Sequence, residues 1–164
     1  MTGRPPRPDA GLTAAELRAW RGVIETTALL RYRLDKLLMA DSGLSGSDYP
    51  ILVALYESEQ PQLRSSELAD RIGWERSRLS HHLGRMESRG LVRRERCADD
   101  SRGSEILMTP AGAERFRRAS APHLRAVQEL FVDAFSPDLL DRVDEITRSL
   151  RRHLDELGQE AKAG

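Results

Sequence analysis

Apolar residues recur at three- and four-residue steps over most of this chain, and at two-residue steps over one short stretch near residues 91–108. The helical pattern begins at Thr13-Ala-Ala-Glu16, whose spacing lets a threonine hydroxyl and a glutamate satisfy each other's backbone donors at a helix start. A long helix to about Ala40 follows, with two apolar stripes. Leu17, Trp20, Ile24 and Ala28 form one, and Val23, Leu30, Leu34 and Leu37 the other. Two stripes predict a helix that packs on two sides, against its own core and against a partner. Ahead of it, residues 1–12 carry Pro5, Pro6 and Pro8 between Arg4 and Arg7, without apolar periodicity, and read as a disordered tail.

Beyond the turn Asp41-Ser-Gly-Leu-Ser-Gly, Ser45 to Asp48 offers a second capping signal for a helix through Tyr49, Leu52, Leu55 and Tyr56. Pro50 falls in its first turn, where a missing donor costs little. After Glu59-Gln-Pro-Gln, a short helix over 65–73 is predicted with Ser65 as its cap, an acid in its first turn and Gly73 as its stop. A further helix from about Glu75 to Arg89 turns Leu79, Leu83 and Met86 inward and ends at Gly90. The period then changes. Leu91 to Cys97 and Ser104 to Met108 are strand-like runs about a polar Ala-Asp-Asp-Ser-Arg-Gly turn, a β-hairpin. Thr109-Pro110 and Ser136-Pro137 each open one of two closing helices. The last helix carries Leu139, Val143, Ile146, Leu150, Leu154 and Leu157 in a narrow stripe suited to pairing with another helix.

Composition narrows the class. At 164 residues the chain is long enough for one sizeable core, and 39% hydrophobic residues argue against general disorder. No apolar run approaches the roughly 18 residues of a membrane span, and no apolar signal core follows the first methionine, so the expected location is cytoplasmic, with no membrane partner. The single cysteine, Cys97, cannot form an internal disulfide and excludes a multi-cysteine zinc module. His81 and His82 are adjacent, about 100° apart on a helix, and do not have the spacing of a shared metal site; no metal or cofactor is expected. Neither a nucleophile elbow, an H-E-x-x-H pair nor a glycine-rich phosphate loop is present, so an enzyme is not expected.

Formal net charge is zero, with 26 basic and 26 acidic residues, but the average hides a local excess. From Arg76 to Arg96 seven arginines stand against Glu87 and Glu95, a segment of +5 in a neutral chain. Such a patch steers a polyanion whatever the overall charge. Two short helices joined at a glycine corner and followed by a hairpin are the element order of a winged helix-turn-helix. A helix bearing Ser77, Arg78, His81, His82 and Arg85 away from its apolar side fits a B-form major groove. Ser65 and Ser66, at a helix N-terminus, are candidates for a phosphate contact, and Arg102, at the polar hairpin tip, for entry into a narrow minor groove. Asp100 stands where a charge-assisted hydrogen bond would orient Arg102.

The run from Leu79 to Gly112 carries Arg85-Met86, Gly90-Leu-Val-Arg-Arg94, Asp100-Ser-Arg102-Gly103 and Leu107-Met-Thr-Pro-Ala-Gly112. Their order and spacing resemble those of the MarR family of dimeric bacterial transcription regulators, a resemblance that covers nearly the whole chain, from the long first helix to the last. The resemblance implies that Ser77, Arg78, Ser80, His81 and Arg85 lie on a recognition helix, with Arg94 on the wing and Arg102 at its tip beside Asp100. Family members commonly carry arginine where this chain has His81. It further implies a homodimer built from both chain ends and a pseudo-palindromic double-stranded operator. Such a regulator is often a repressor released by a small aromatic or lipophilic anion. The effector pocket would lie between the dimerisation helices and the DNA-binding lobe, with Trp20, Arg31, Tyr32 and Tyr49 as candidates.

The expected fold is therefore α+β and mostly helical. A winged helix-turn-helix lobe is expected over 46–112 and a helical dimerisation region over 13–45 and 113–160. Two alternatives stay open. One is a redox-responsive regulator acting through Cys97, although a thiol at a wing strand's end reads as inert. The other is a protein-interaction module whose basic segment binds acidic protein without DNA specificity.

Overall fold

The computed structural model describes residues 11–96 and 104–163. Six helices and three short strands follow one another as α1 (Ala14–Ser42), α2 (Tyr49–Tyr56), β1 (Gln62–Arg64), α3 (Ser65–Ile72), α4 (Arg76–Ser88), β2 (Val92–Arg96), β3 (Ser104–Met108), α5 (Pro110–Leu130) and α6 (Pro137–Ala163), with a single 3-10 turn at Val132–Ala134. The expected mostly helical α+β architecture is present.

Local chemistry accounts for the ends of these elements. At α1 the Thr13 backbone N–H donates to Glu16 Oε2 at 2.9 Å while Glu16 N–H donates to Thr13 Oγ1, the reciprocal cap the spacing predicts. Gly43, at φ 68°, ends the helix two residues beyond the predicted stop's neighbour Asp41. Both α3 and α4 end in the same way. Trp74 N–H reaches Ala69 O and Gly73 N–H reaches Asp70 O, and Leu91 and Gly90 repeat the pair on Met86 and Glu87. Gly73 and Gly90 hold φ of 67° and 68° to allow it. Thr109 caps α5 by accepting from Gly112 N–H and also donates to Gly90 O, fastening the start of α5 to the end of α4.

The three strands form one antiparallel sheet in the order β1-β3-β2, with Leu63 and Arg94 both facing Ile106 across the register. The polar turn between β2 and β3 lies outside the described residues. So do Cys97, Asp100, Arg102 and the tail up to residue 10. Strand β1, from the end of Glu59-Gln-Pro-Gln to the short helix, is an addition to the predicted hairpin.

A single apolar core runs from the end of α1 to the middle of α5. It contains Leu38, Leu44, Ile51, Leu52, Leu68, Leu79, Leu83, Met86, Leu91, Ile106 and Phe116, each buried. Gly112 is obligatory at its edge, because a Cβ there would overlap the Leu91 carbonyl oxygen. Helix α6 adds nothing to this core: none of residues 137–160 is buried. Most of α1 is also uncovered. Leu30 and Leu34 are half-buried, whereas Trp20, Val23, Ile24, Leu29 and Leu37 are exposed. No helix among the described residues is long and apolar enough to cross a membrane.

Candidate nucleic-acid interface

Helix α4 stands on its apolar side. Leu79, His82, Leu83 and Met86 are buried, while Ser77, Arg78, Ser80, His81 and Arg85 are exposed. The latter five share the outer surface of one short helix, which the glycine cap at Gly73 sets at an angle to α3. Arg78 lies over the Trp74 ring, its guanidinium carbon 4.1 Å from the centroid, which restricts the long side chain without consuming its hydrogen bonds. Arg85 donates through Nη2 to His82 Nδ1 at 2.6 Å and through Nη1 to His81 Nδ1 at 3.3 Å. Sequence periodicity set His82 among the outward-facing residues. The structure corrects this: His82 is 6% exposed, because its Nε2 meets the buried carboxylate of Asp48 at 2.9 Å.

Ser65 and Ser66 open α3, both half-buried. Ser65 is the first helical residue rather than the cap, a role taken by Arg64 in extended conformation without a side-chain bond. The first-turn backbone donors of α3 therefore lack a side-chain cap, although Glu67 brings a negative charge to the same end. Arg94 is held against the protein itself. Its Nη2 donates to Ser80 O at 2.6 Å, its backbone N–H to Glu87 Oε1 at 3.1 Å, and its Nε lies 3.7 Å from Glu87 Oε2. This pins β2 to α4. Arg93 pairs with Glu95, whose charge the +5 already includes, whereas Asp48, from outside the segment, pairs with Arg89 and makes the local field weaker than the formal value.

Of the four effector candidates, the structure brings together two. Arg31 and Tyr49 line a cavity of about 180 Å³ with Leu34, Asp35, Leu38, Gly46 and His123, between α1, the α1–α2 corner and α5. The Tyr49 ring packs at a tilt against the His123 ring, with centroids 4.3 Å apart, and against Phe116 at 5.5 Å. Burial raises its phenol above the ordinary range and lowers His123, which favours the neutral imidazole. Trp20 and Tyr32 are not part of it. They are 61% and 58% exposed on α1, and Tyr32 instead holds Lys36 over its ring. His123 joins the cavity from α5, a helix distant in sequence from the other lining residues, while Asp35 lies one turn beyond Arg31 on α1. Among the described residues no group of three or more His, Cys, Asp or Glu side chains is arranged to hold a metal ion.

Two helices at a glycine corner, a supporting three-stranded sheet and a polar outer face on the second helix define a winged helix-turn-helix protein. Residues 42–103 match the sequence model of the MarR family. Among solved structures, AbsC, a MarR family transcriptional regulator from Streptomyces coelicolor, is 38% identical with a TM-score of 0.82, over 90% of this chain and 99% of that one. Sco3205, a MarR family transcriptional regulator from the same organism solved in complex with DNA, is 40% identical with a TM-score of 0.83, over 91% and 92%. The transcriptional repressor MprA of Escherichia coli (strain K12) is 27% identical over 126 residues, 77% of this chain and 70% of that protein. The chain belongs to the MarR family, a transcription regulator and not an enzyme.

Proposed function

We propose that the chain is a sequence-specific double-stranded DNA-binding repressor, working as a homodimer on a pseudo-palindromic operator and released by a small aromatic or lipophilic anion. The observation that carries the reading is the outer face of α4, where Ser77, Arg78, His81 and Arg85 are exposed together over a buried apolar side. Arginine forks suit guanine edges and phosphates, and serine and histidine add short polar contacts. Sco3205, similar over nearly the whole chain, was solved on DNA, which supports the same use here.

The remaining assignments follow from this reading. Residues 46–112 form the DNA-binding lobe, with Ser65 and Ser66 contacting phosphate and Arg102, oriented by Asp100, entering the minor groove. Residues 13–45 and 113–160 form the dimerisation region, which explains the uncovered apolar residues of α1 and α6. Two-fold symmetry then sets the recognition helices about one helical turn, ~34 Å, apart along the duplex. Arg31 and Tyr49 receive the effector, the cation facing its acidic group and the ring its apolar body.

Fluorescence anisotropy against duplexes tiling the DNA upstream of the chain's own gene, at two salt concentrations with competitor present, tests the reading. One tile bound tightly, and more weakly as salt rises, is the expected result. Equal, weak binding to every tile would leave either a distant operator or a non-DNA partner.

A further inference from the structure

Behind the outer face of α4 lies a buried polar chain that no DNA contact explains. Asp48, fully buried, accepts from Ser45 N–H at 2.7 Å and from Arg89 Nη1 at 2.9 Å, and meets His82 Nε2 at 2.9 Å. Arg89 Nη2 continues to Gly43 O at 2.9 Å, which ties the end of α1 to the same cluster. On the far side of the imidazole, Arg85 Nη2 reaches His82 Nδ1 at 2.6 Å.

The chemistry of these groups fixes where the protons are. An ionised carboxylate only accepts and a guanidinium only donates. Burial raises the Asp48 pKa, but its bonds to Ser45 and Arg89 outweigh that and hold the carboxyl below its usual range, so it is ionised. His82 must then donate from Nε2 to Asp48 and accept at Nδ1 from Arg85. A neutral imidazole has one N–H and one lone pair, and satisfies both neighbours only in the Nε2–H tautomer. A second proton on Nδ1 would point at the guanidinium.

We propose that His82 and Asp48, neither of which lies on the outer face of α4, are positioning residues that hold Arg85 in the orientation in which it discriminates one base pair of the operator half-site. The inference rests on the DNA-binding reading above. Two of the five guanidinium N–H groups are engaged, by His82 and His81, and three remain for a duplex. An arginine tethered in this way arrives with its side chain already ordered, which suits base readout; a free arginine tracks phosphate as well as any base.

The test measures affinities for the preferred duplex and for its full set of single-base variants, using the wild type, Arg85→Ala, His82→Leu, His82→Gln and the Arg85→Ala/His82→Leu double variant. Glutamine keeps one donor and one acceptor, whereas leucine keeps neither. Arg85→Ala should lose discrimination at one position per half-site, about five- to a hundredfold for a forked contact. His82→Leu should lose most of the discrimination at that same position and little elsewhere. His82→Gln should restore it, and the double variant should discriminate no worse than Arg85→Ala alone. Wild-type discrimination in His82→Leu, or a uniform loss at every position, would overturn the inference and leave the DNA reading standing. A wild type with no preferred duplex would remove both. Nitrogen-15 spectra of the free protein give a check that needs no DNA: His82 should appear as the Nε2–H tautomer at neutral pH, and an Nδ1–H or doubly protonated ring contradicts the assignment.

Discussion

At the scale of single residues, the pairing of His82 with Asp48 carries a stability consequence with a definite sign. Burial, first, and then the nearby Arg85 and Arg89 charges lower the His82 pKa, against the opposing pull of Asp48. The unfolded chain therefore binds a proton that the folded chain resists. Stability is fully present above the unfolded value of about 6.5 and is lost as pH falls from there toward the lower folded value. His123 is shifted in the same direction, and Asp48 adds a separate loss only once the solution is acid enough to protonate a depressed carboxyl. Urea midpoints measured from pH 7.5 to 5 should fall for the wild type, and fall less steeply for His82→Gln, with the residual slope belonging to His123. Sequence reasoning misplaced His82 for a plain physical reason. A helical period marks which positions face inward only when apolar residues occupy them, and the partner that draws this histidine inward is a carboxylate 34 residues away. Ser77, Arg78, His81 and Arg85 needed no such partner, since position on the helix alone decides their exposure.

Among the elements, α1 and α6 are the ones whose chemistry is incomplete within one chain. Ile146, Leu150, Leu154 and Leu157 of α6 are exposed, as are Trp20, Val23 and Ile24 of α1. Covering a leucine is worth roughly 1.5–3 kcal/mol, so the proposed dimer has enough apolar area to draw on. Leu150→Asp, which puts a charge in the middle of the α6 stripe, should convert the dimer to monomer in analytical ultracentrifugation while leaving helical content near wild type. The stripe on α6 was legible because a long amphipathic helix repeats its signal many times. Strand β1 was not, since three residues give no period and its partner β3 lies more than 40 residues further on. The start of α3 was misread by one residue, because a serine before an amphipathic run presents capping chemistry whether or not it caps, and here Arg64 takes the extended cap position while Ser65 is already helical. Arg31 and Tyr49 line one cavity because α1 packs on α5 and the α1–α2 corner brings the start of α2 beside them, whereas Trp20 and Tyr32 are exposed on α1.

For the whole molecule, the proposed function assigns discrimination between DNA sequences to one helix face and leaves the rest of the chain to hold that face in place. The neutral overall charge is compatible with this, because association responds to the local field and discrimination to a few base-edge contacts. The buried network ties α4 to the α1–α2 corner, next to the Arg31–Tyr49 cavity. The most direct measurement is the ratio of affinities for the preferred duplex and a scrambled duplex of equal length, at one salt concentration, in wild type and Arg78→Ala/Arg85→Ala. A wild-type ratio of about a thousandfold or more is expected, typical of specific regulators, with a fall of at least about tenfold in the variant. An unchanged ratio in a folded variant would overturn the proposed role of α4, because the sequence would then be read from some other surface.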